Sequence, residues 1–298
     1  MTMPKFIALC LSLFIFTVDS FAKETALKIS DGCLGRVSGS SVENGGVLSV
    51  RVNCESDKPP KIEFMGQEIV LFPRDQSPGH FAALIAIPYI QGPIKEMLVF
   101  RDDNRKSLAE HSIEIVKGTY RSEKLKVDPS KVTLSDSDKQ RADRESAEID
   151  LIYRNINREL LWKQGFSFPM NSQQTSPYGV RRIFNKSLAS HHSGLDFRAA
   201  KGSKVLAANK GRVVLGRDLF FAGQCVIVDH GYGVYTSYGH LSEIVVKTGE
   251  FVDKGSVLAL SGNSGRSSGP HLHFGFRINN VSVNPSKAIN VINALLGE

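Results

Sequence analysis

The 298-residue chain has few cysteines, one tryptophan and no apolar run long enough to cross a bilayer. Its mostly apolar run from Phe6 to Val18 spans 13 residues, short of the roughly 20 that a transmembrane helix needs. There are four cysteines and no CxxC pair, which argues against cysteine-based zinc sites and thioredoxin chemistry. HExxH, the commoner signature of zinc proteases, does not occur. Twelve prolines and 26 glycines fall short of collagen-like or low-complexity composition, and 41% hydrophobic residues are too many for wholesale disorder. No recognisable nucleic-acid motif accompanies the formal charge of +7. That charge still calls for an anionic partner.

What is present begins with an export signal. Lys5, the apolar run and the ending Ser20-Phe21-Ala22 have the form of a signal peptide over residues 1–22. The implied location is the periplasm, cell envelope or exterior. Cys10 would leave with the peptide. In an oxidising compartment Cys33 and Cys54 are expected to pair, and Cys225, in an apolar strand, reads as a buried unpaired thiol.

Residues 23–117 read as short strands punctuated by Gly, Pro and Asp. Examples are Gly46 to Val52, Lys61 to Phe72, Phe81 to Tyr89, Glu96 to Phe100 and His111 to Val116. An antiparallel β-sandwich is expected there. Residues 118–163 form a polar connector and a helix. Ser135 to Asp138 gives an N-terminal cap, and Ile149, Ile152, Tyr153 and Ile156 form one apolar stripe. Residues 164–298 read as a second β domain, with a hairpin of Gln224–Asp229 and Val234–His240. The protein is thus expected to be mainly β. Residues 164–298 hold 14 Lys and Arg against 7 Asp and Glu, whereas residues 23–163 hold 22 of each. The whole charge excess lies in the second domain.

Six of the eight histidines follow residue 190. His271 and His273 share one strand face, because side chains repeat every two residues. His192 and Asp196 also share a face, but a straight strand would hold their Cα atoms about 13 Å apart. The chain must bend between them, and Gly194 is the residue best able to allow it. Spacing alone leaves a shared metal site and a set of polar strand residues both open.

Residues 175–285 resemble the lysostaphin-type (LytM-like) zinc peptidases, which cut peptide bridges of bacterial cell walls. The matching stretches, in order, begin with Ser176 to Arg182, His192-Ser193-Gly194-Leu195-Asp196 and Lys201 to Ala207. Tyr238-Gly239-His240-Leu241 and Ser261 to Phe274 complete them. The resemblance implies a C-terminal antiparallel β-sheet peptidase domain holding one Zn2+ per chain on His192, Asp196 and His273. It makes His240 and His271 the catalytic histidines that do not bind metal, with their division of roles open. Asn185 is either a substrate contact or a turn residue. His191 is a solvated neighbour, and His230 has a structural role at a hairpin turn.

The function implied is hydrolysis of peptidoglycan crosslinks by a monomer held against an anionic envelope, with carboxypeptidase activity also open. Nucleic acid is not an expected partner. The alternative is a wall-binding or amidase-activating module of the same fold. The stretch Tyr120 to Val127 and the modules around it resemble N-terminal parts of longer family members, which position the enzyme or cover its cleft.

Overall fold

The computed structural model describes residues 24–74, 77–89, 92–186 and 188–297. The expected signal peptide, Cys10 included, lies outside the described residues. Among those described, no helix is long and apolar enough to cross a membrane.

Two five-stranded sheets make up the N-terminal module. One runs in the order Thr25–Ser30, Cys33–Val37, Val47–Cys54, His80–Ala86, Leu71–Pro73. The other runs Ser41–Glu43, Ser107–Val116, Ile94–Arg101, Lys61–Phe64, Gln67–Ile69. Pairing is antiparallel except where Ser41–Glu43 runs parallel to Ser107–Val116. The stretch from Lys61 to Phe72 is not one strand. Met65 (φ 52°) and Gly66 (φ 72°) turn the chain back on itself, and Leu71–Pro73 then crosses to the other sheet. Cys33 and Cys54 face each other in register and are disulfide-bonded.

The first sheet is buried on both faces, which explains its long apolar runs. Leu48, Val50, Val52, Ala83 and Ile85 pack against the second sheet. Val47, Phe72, Ala82 and Leu84 belong instead to the core of the C-terminal domain, around Trp162, Phe166 and Phe276. Trp162 is 1% exposed and packs edge-on against Phe72 and Phe166. Arg51, from the same sheet, donates to the carbonyls of Ala294 and Leu295. It thereby caps the C-terminal end of helix Pro285–Leu296, where a cation also meets the negative end of the helix dipole.

The connector is more than a tether. Ser122–Leu125 pairs in parallel with Arg181–Phe184, which pairs antiparallel with Leu188–His191, so the connector supplies the edge strand of this three-stranded sheet. Helix Asp136–Arg154 follows, its first turn capped by Ser135, whose hydroxyl accepts from the Asp138 N–H. Ile149, Ile152 and Tyr153 pack on Leu215, Leu219, Ile227 and Tyr235. Ile156 lies past the helix end and is 37% exposed, so the stripe is one turn shorter than the sequence suggests.

The C-terminal domain is built on a ten-stranded sheet. Its main path is Gln174–Ser176, Gly194–Arg198, His271–Ile278, Val234–Ile244, Gly223–Asp229, Gly211–Leu219, Phe251–Val252. Asn284 caps the final helix, Pro285 occupies its first turn, and Gly297 (φ 83°) ends it in the left-handed conformation. Cys225 is buried and free, and burial pushes its thiol up to about 12, so it is an inert core residue.

The Cys33–Cys54 bridge closes a loop of 21 residues, which corresponds to about 3 kcal/mol in the chain-entropy treatment. The Cys33→Ala/Cys54→Ala double variant is expected to lose stability of this order in urea unfolding. An unchanged midpoint and slope would show that the bridge does not constrain the unfolded chain.

Candidate active site

The site lies where three strands of the large sheet run side by side. Asp196 on Gly194–Arg198 is in register with His273 on His271–Ile278, and Gly239 on Val234–Ile244 is in register with His273 from the other side. His192 comes from outside this sheet, just past the strand Leu188–His191. Its backbone is tied to the hairpin: the His192 N–H donates to Val180 O, and the Gly179 N–H donates to His192 O, both at 2.8 Å.

Regular strand is interrupted at His192 and Ser193, between Leu188–His191 and Gly194–Arg198, and the His192 imidazole reaches Asp196. Gly194 serves this differently from expectation. It already lies inside the strand, and what it provides is room. A Cβ there would sit 2.3 Å from Phe274 O and 2.8 Å from the Cε1 atom of His273.

Three donor atoms converge. His192 Nε2 and His273 Nδ1 each lie 2.9 Å from Asp196 Oδ1 and 3.0 Å from one another. A tetrahedral ion bound at 2.0–2.2 Å would spread such ligand atoms to about 3.3 Å, so only a small outward relaxation separates this cluster from a metal-binding geometry. The surroundings orient each donor. Pro177 O lies 2.8 Å from His192 Nδ1, which must donate to it, leaving the lone pair on Nε2 directed inward. Burial pulls His192 down to about 4, so it is neutral at pH 7. Burial opposes ionisation of Asp196, but the contacts with His192 and His273 outweigh it and hold the carboxyl well below the usual carboxylate range. Its other oxygen, Oδ2, accepts from Arg182 Nη2, which also donates to Ser176 Oγ at 3.1 Å. Two imidazoles and one carboxylate on a common point fit a divalent cation of the zinc type.

His240 and His271 stand beside this cluster, ring centroids 4.8 Å apart, with His240 5.9 Å from His273. His240 owes its direction to a β-bulge: Gln224 pairs with Leu241 but Val226 pairs with Tyr238, leaving one extra residue on the His240 strand. His240 itself sits at φ 60°, an uncommon value for a residue with a side chain. Its Nδ1 donates to Ser264 O at 2.8 Å, and burial, with the neighbouring His271 and His273, pulls it down to about 3. His271 Nδ1 donates to Gly269 O at 2.7 Å. Its Nε2 is buried without a hydrogen-bond partner, 3.7 Å from Asp196 Oδ1. Both rings are therefore anchored through Nδ1, leaving Nε2 without a hydrogen-bond partner among the described residues.

The remaining candidates fall elsewhere. Asn185 occupies the turn after Arg181–Phe184 at φ 48°, with its side-chain amide bonded to both the N–H and the carbonyl of Val127. Its polar groups clamp the connector. His191 is exposed, yet its ring stacks on Tyr89 of the N-terminal module at 4.2 Å. His230 is fully buried between Lys210 O and Thr236 Oγ1.

Arg182 is the residue that sequence reasoning passed over. It lies within a quoted motif, but nothing in one dimension pairs it with Asp196.

His192, Asp196 and His273 thus form a candidate metal centre, with His240 and His271 beside it. Residues 190–285 match the model of Peptidase family M23. It is 39% identical over 137 residues to an uncharacterized metalloprotease of Haemophilus influenzae, covering 45% of this chain and 29% of that protein. Over 140 residues it is 36% identical to the peptidoglycan DD-endopeptidase ShyA of Vibrio cholerae, covering 46% of this chain and 32% of that protein. The chain thus spans about a third of the length of these relatives. A solved structure from Pseudomonas aeruginosa assigned to peptidase M23 superposes with a TM-score of 0.62 at 27% identity, covering 84% of this chain and 94% of that one. This likeness therefore extends past the M23 segment into the N-terminal sheets.

His230 yields a stability prediction. Burial lowers its pKa from 6.5 to about 4, so the neutral form stabilises the fold fully above pH 6.5. That contribution is lost as pH falls from 6.5 toward 4, by about 2–3 kcal/mol. Urea unfolding at pH 7 and pH 4.5 is expected to show a smaller acid destabilisation in His230→Gln than in wild type. An equal pH dependence would mean that His230 does not titrate as its burial requires.

Proposed function

We propose that the protein is a zinc-dependent hydrolase of peptide crosslinks in bacterial peptidoglycan. The observation that carries this reading is the convergence of His192 Nε2, Asp196 Oδ1 and His273 Nδ1 within 3.0 Å, beside two histidines with unused Nε2 atoms. His192, Asp196 and His273 would hold one zinc ion. When bound, the ion acidifies water and acts as a Lewis acid toward the scissile carbonyl.

The chain's own groups do the rest. Arg182 fixes the Asp196 carboxylate by its outer oxygen, so that only Oδ1 faces inward. Pro177 O fixes the His192 tautomer. His240 and His271, each anchored at Nδ1 by a carbonyl, supply between them the base that takes a proton from water and the acid that returns it to the leaving amine. The depressed pKa of His240 keeps it unprotonated as substrate arrives.

The division of labour along the chain is part of the same proposal. Residues 1–22 direct export to the periplasm or envelope, residues 23–117 and 118–163 brace the enzyme, and residues 164–298 carry the chemistry. The 14 basic residues of 164–298 against 7 acidic ones favour docking on an anionic wall or envelope. The names of relatives such as the DD-endopeptidase ShyA support peptidoglycan as substrate.

Two variants separate the roles. His273→Ala is expected to lose both zinc, by elemental mass spectrometry, and digestion of purified sacculi. His240→Ala is expected to keep stoichiometric zinc and lose roughly 10²–10⁴-fold in turnover. A His273→Ala protein that still releases muropeptides would overturn the proposal. Stoichiometric zinc in a wild-type protein without turnover would favour the wall-binding alternative.

A further inference from the structure

Arg266 lies in the cleft wall and is not used by the chemistry above. It belongs to the segment between Ser261 and His271 that also supplies the carbonyls of Ser264 and Gly269 to His240 and His271. With Arg182, His192, His240 and His273 it lines a cavity of about 190 Å³.

The residue is held firmly. Its N–H donates to Phe221 O at 2.8 Å, and its guanidinium lies against the rings of Phe184 at 4.6 Å and Phe221 at 4.4 Å. Among the described residues its side chain makes no hydrogen bond or ion pair. The carboxylate that might have neutralised it, Asp196, has one oxygen on Arg182 and the other on the two histidines. Burial and the charge of Arg182 both disfavour the Arg266 cation as it stands. A partly buried, immobilised cation with all its donors unused is costly unless an anion arrives. A guanidinium fork matches a carboxylate in two parallel hydrogen bonds.

We propose that Arg266 receives a carboxylate of the peptide substrate and so sets a preference for peptides bearing a free carboxylate close to the scissile amide. This rests on the peptidase reading and names the substrate class of that same site. A purely structural clamp between Phe184 and Phe221 would predict no such preference.

The test uses the full mature zinc-loaded protein, a crosslinked peptide dimer released from peptidoglycan, and the same dimer with each carboxylate amidated in turn. Wild type is expected to lose roughly 10- to 100-fold in kcat/KM on amidation of one particular carboxylate, the strength of a charge-assisted hydrogen bond. Arg266→Gln is expected to cleave the acid form as slowly as wild type cleaves that amide, and to be indifferent to the amidation. If Arg266→Gln does not fold, Arg266→Lys is expected to reduce the discrimination several-fold. A variant as sensitive to amidation as wild type, or a wild type insensitive to every amidation, would overturn the assignment. Should wild type cleave no dimer, the hydrolase reading fails instead. Calorimetry of the same acid and amide pairs against wild type and Arg266→Gln then decides the anion site: selective binding of the acid, lost in the variant, supports it, and equal binding overturns it.

Discussion

A single buried carboxylate organises this molecule. Asp196 is 5% exposed, and an ionised group at that depth is tolerated only if both oxygens are satisfied. Arg182 takes Oδ2, and Oδ1 is left to His192 and His273. The strand register that sets Asp196 opposite His273, the strand break at His192 and the missing side chain at Gly194 all serve that one oxygen. Three donor atoms within 3.0 Å of one another are an arrangement that a divalent cation of the zinc type fits, which is why a metal centre is the reading its chemistry supports.

The same carboxylate links the site to the rest of the chain. Arg182 stands on a strand paired on one side with the connector strand Ser122–Leu125 and on the other with the strand leading to His192. The connector is clamped further by Asn185. Beyond it, the first N-terminal sheet is a middle layer, its two faces packed in different cores. Tyr89, from this module, donates to Gly179 O and stacks on His191 beside the cleft. The N-terminal half is therefore packed into the architecture that carries the site, with Trp162 buried at the junction.

Much of this was legible in one dimension, and the exceptions share a cause. Alternation in Val47 to Val52 and in Ser112 to Val116 marks strands because one face of each is apolar, and the capped helix after Ser135 is explicit. The strand Ser122–Leu125 has no such signature: it is polar and held by backbone pairing at a sheet edge. The break at Met65–Gly66 depends on two left-handed residues inside an otherwise strand-like run. In the site, the spacing of His192, Asp196, His271 and His273 exposes strand parity and the need for a bend. Arg182 and Arg266 are invisible to that logic, because a guanidinium's importance lies in what it does or does not pair with across the fold. The bulge that turns His240 is equally a matter of register between two strands, which no single strand encodes.

The proposed chemistry stands on one zinc ion held by His192 Nε2, Asp196 Oδ1 and His273 Nδ1. The most direct measurement is a crystal structure of the protein with anomalous scattering recorded at the zinc edge. One peak is expected within about 2.0–2.2 Å of each of those three atoms, with His240 and His271 outside the coordination sphere. A peak coordinated by His240 or His271 in place of His273, or a zinc-loaded protein with no peak at this cluster, would contradict it.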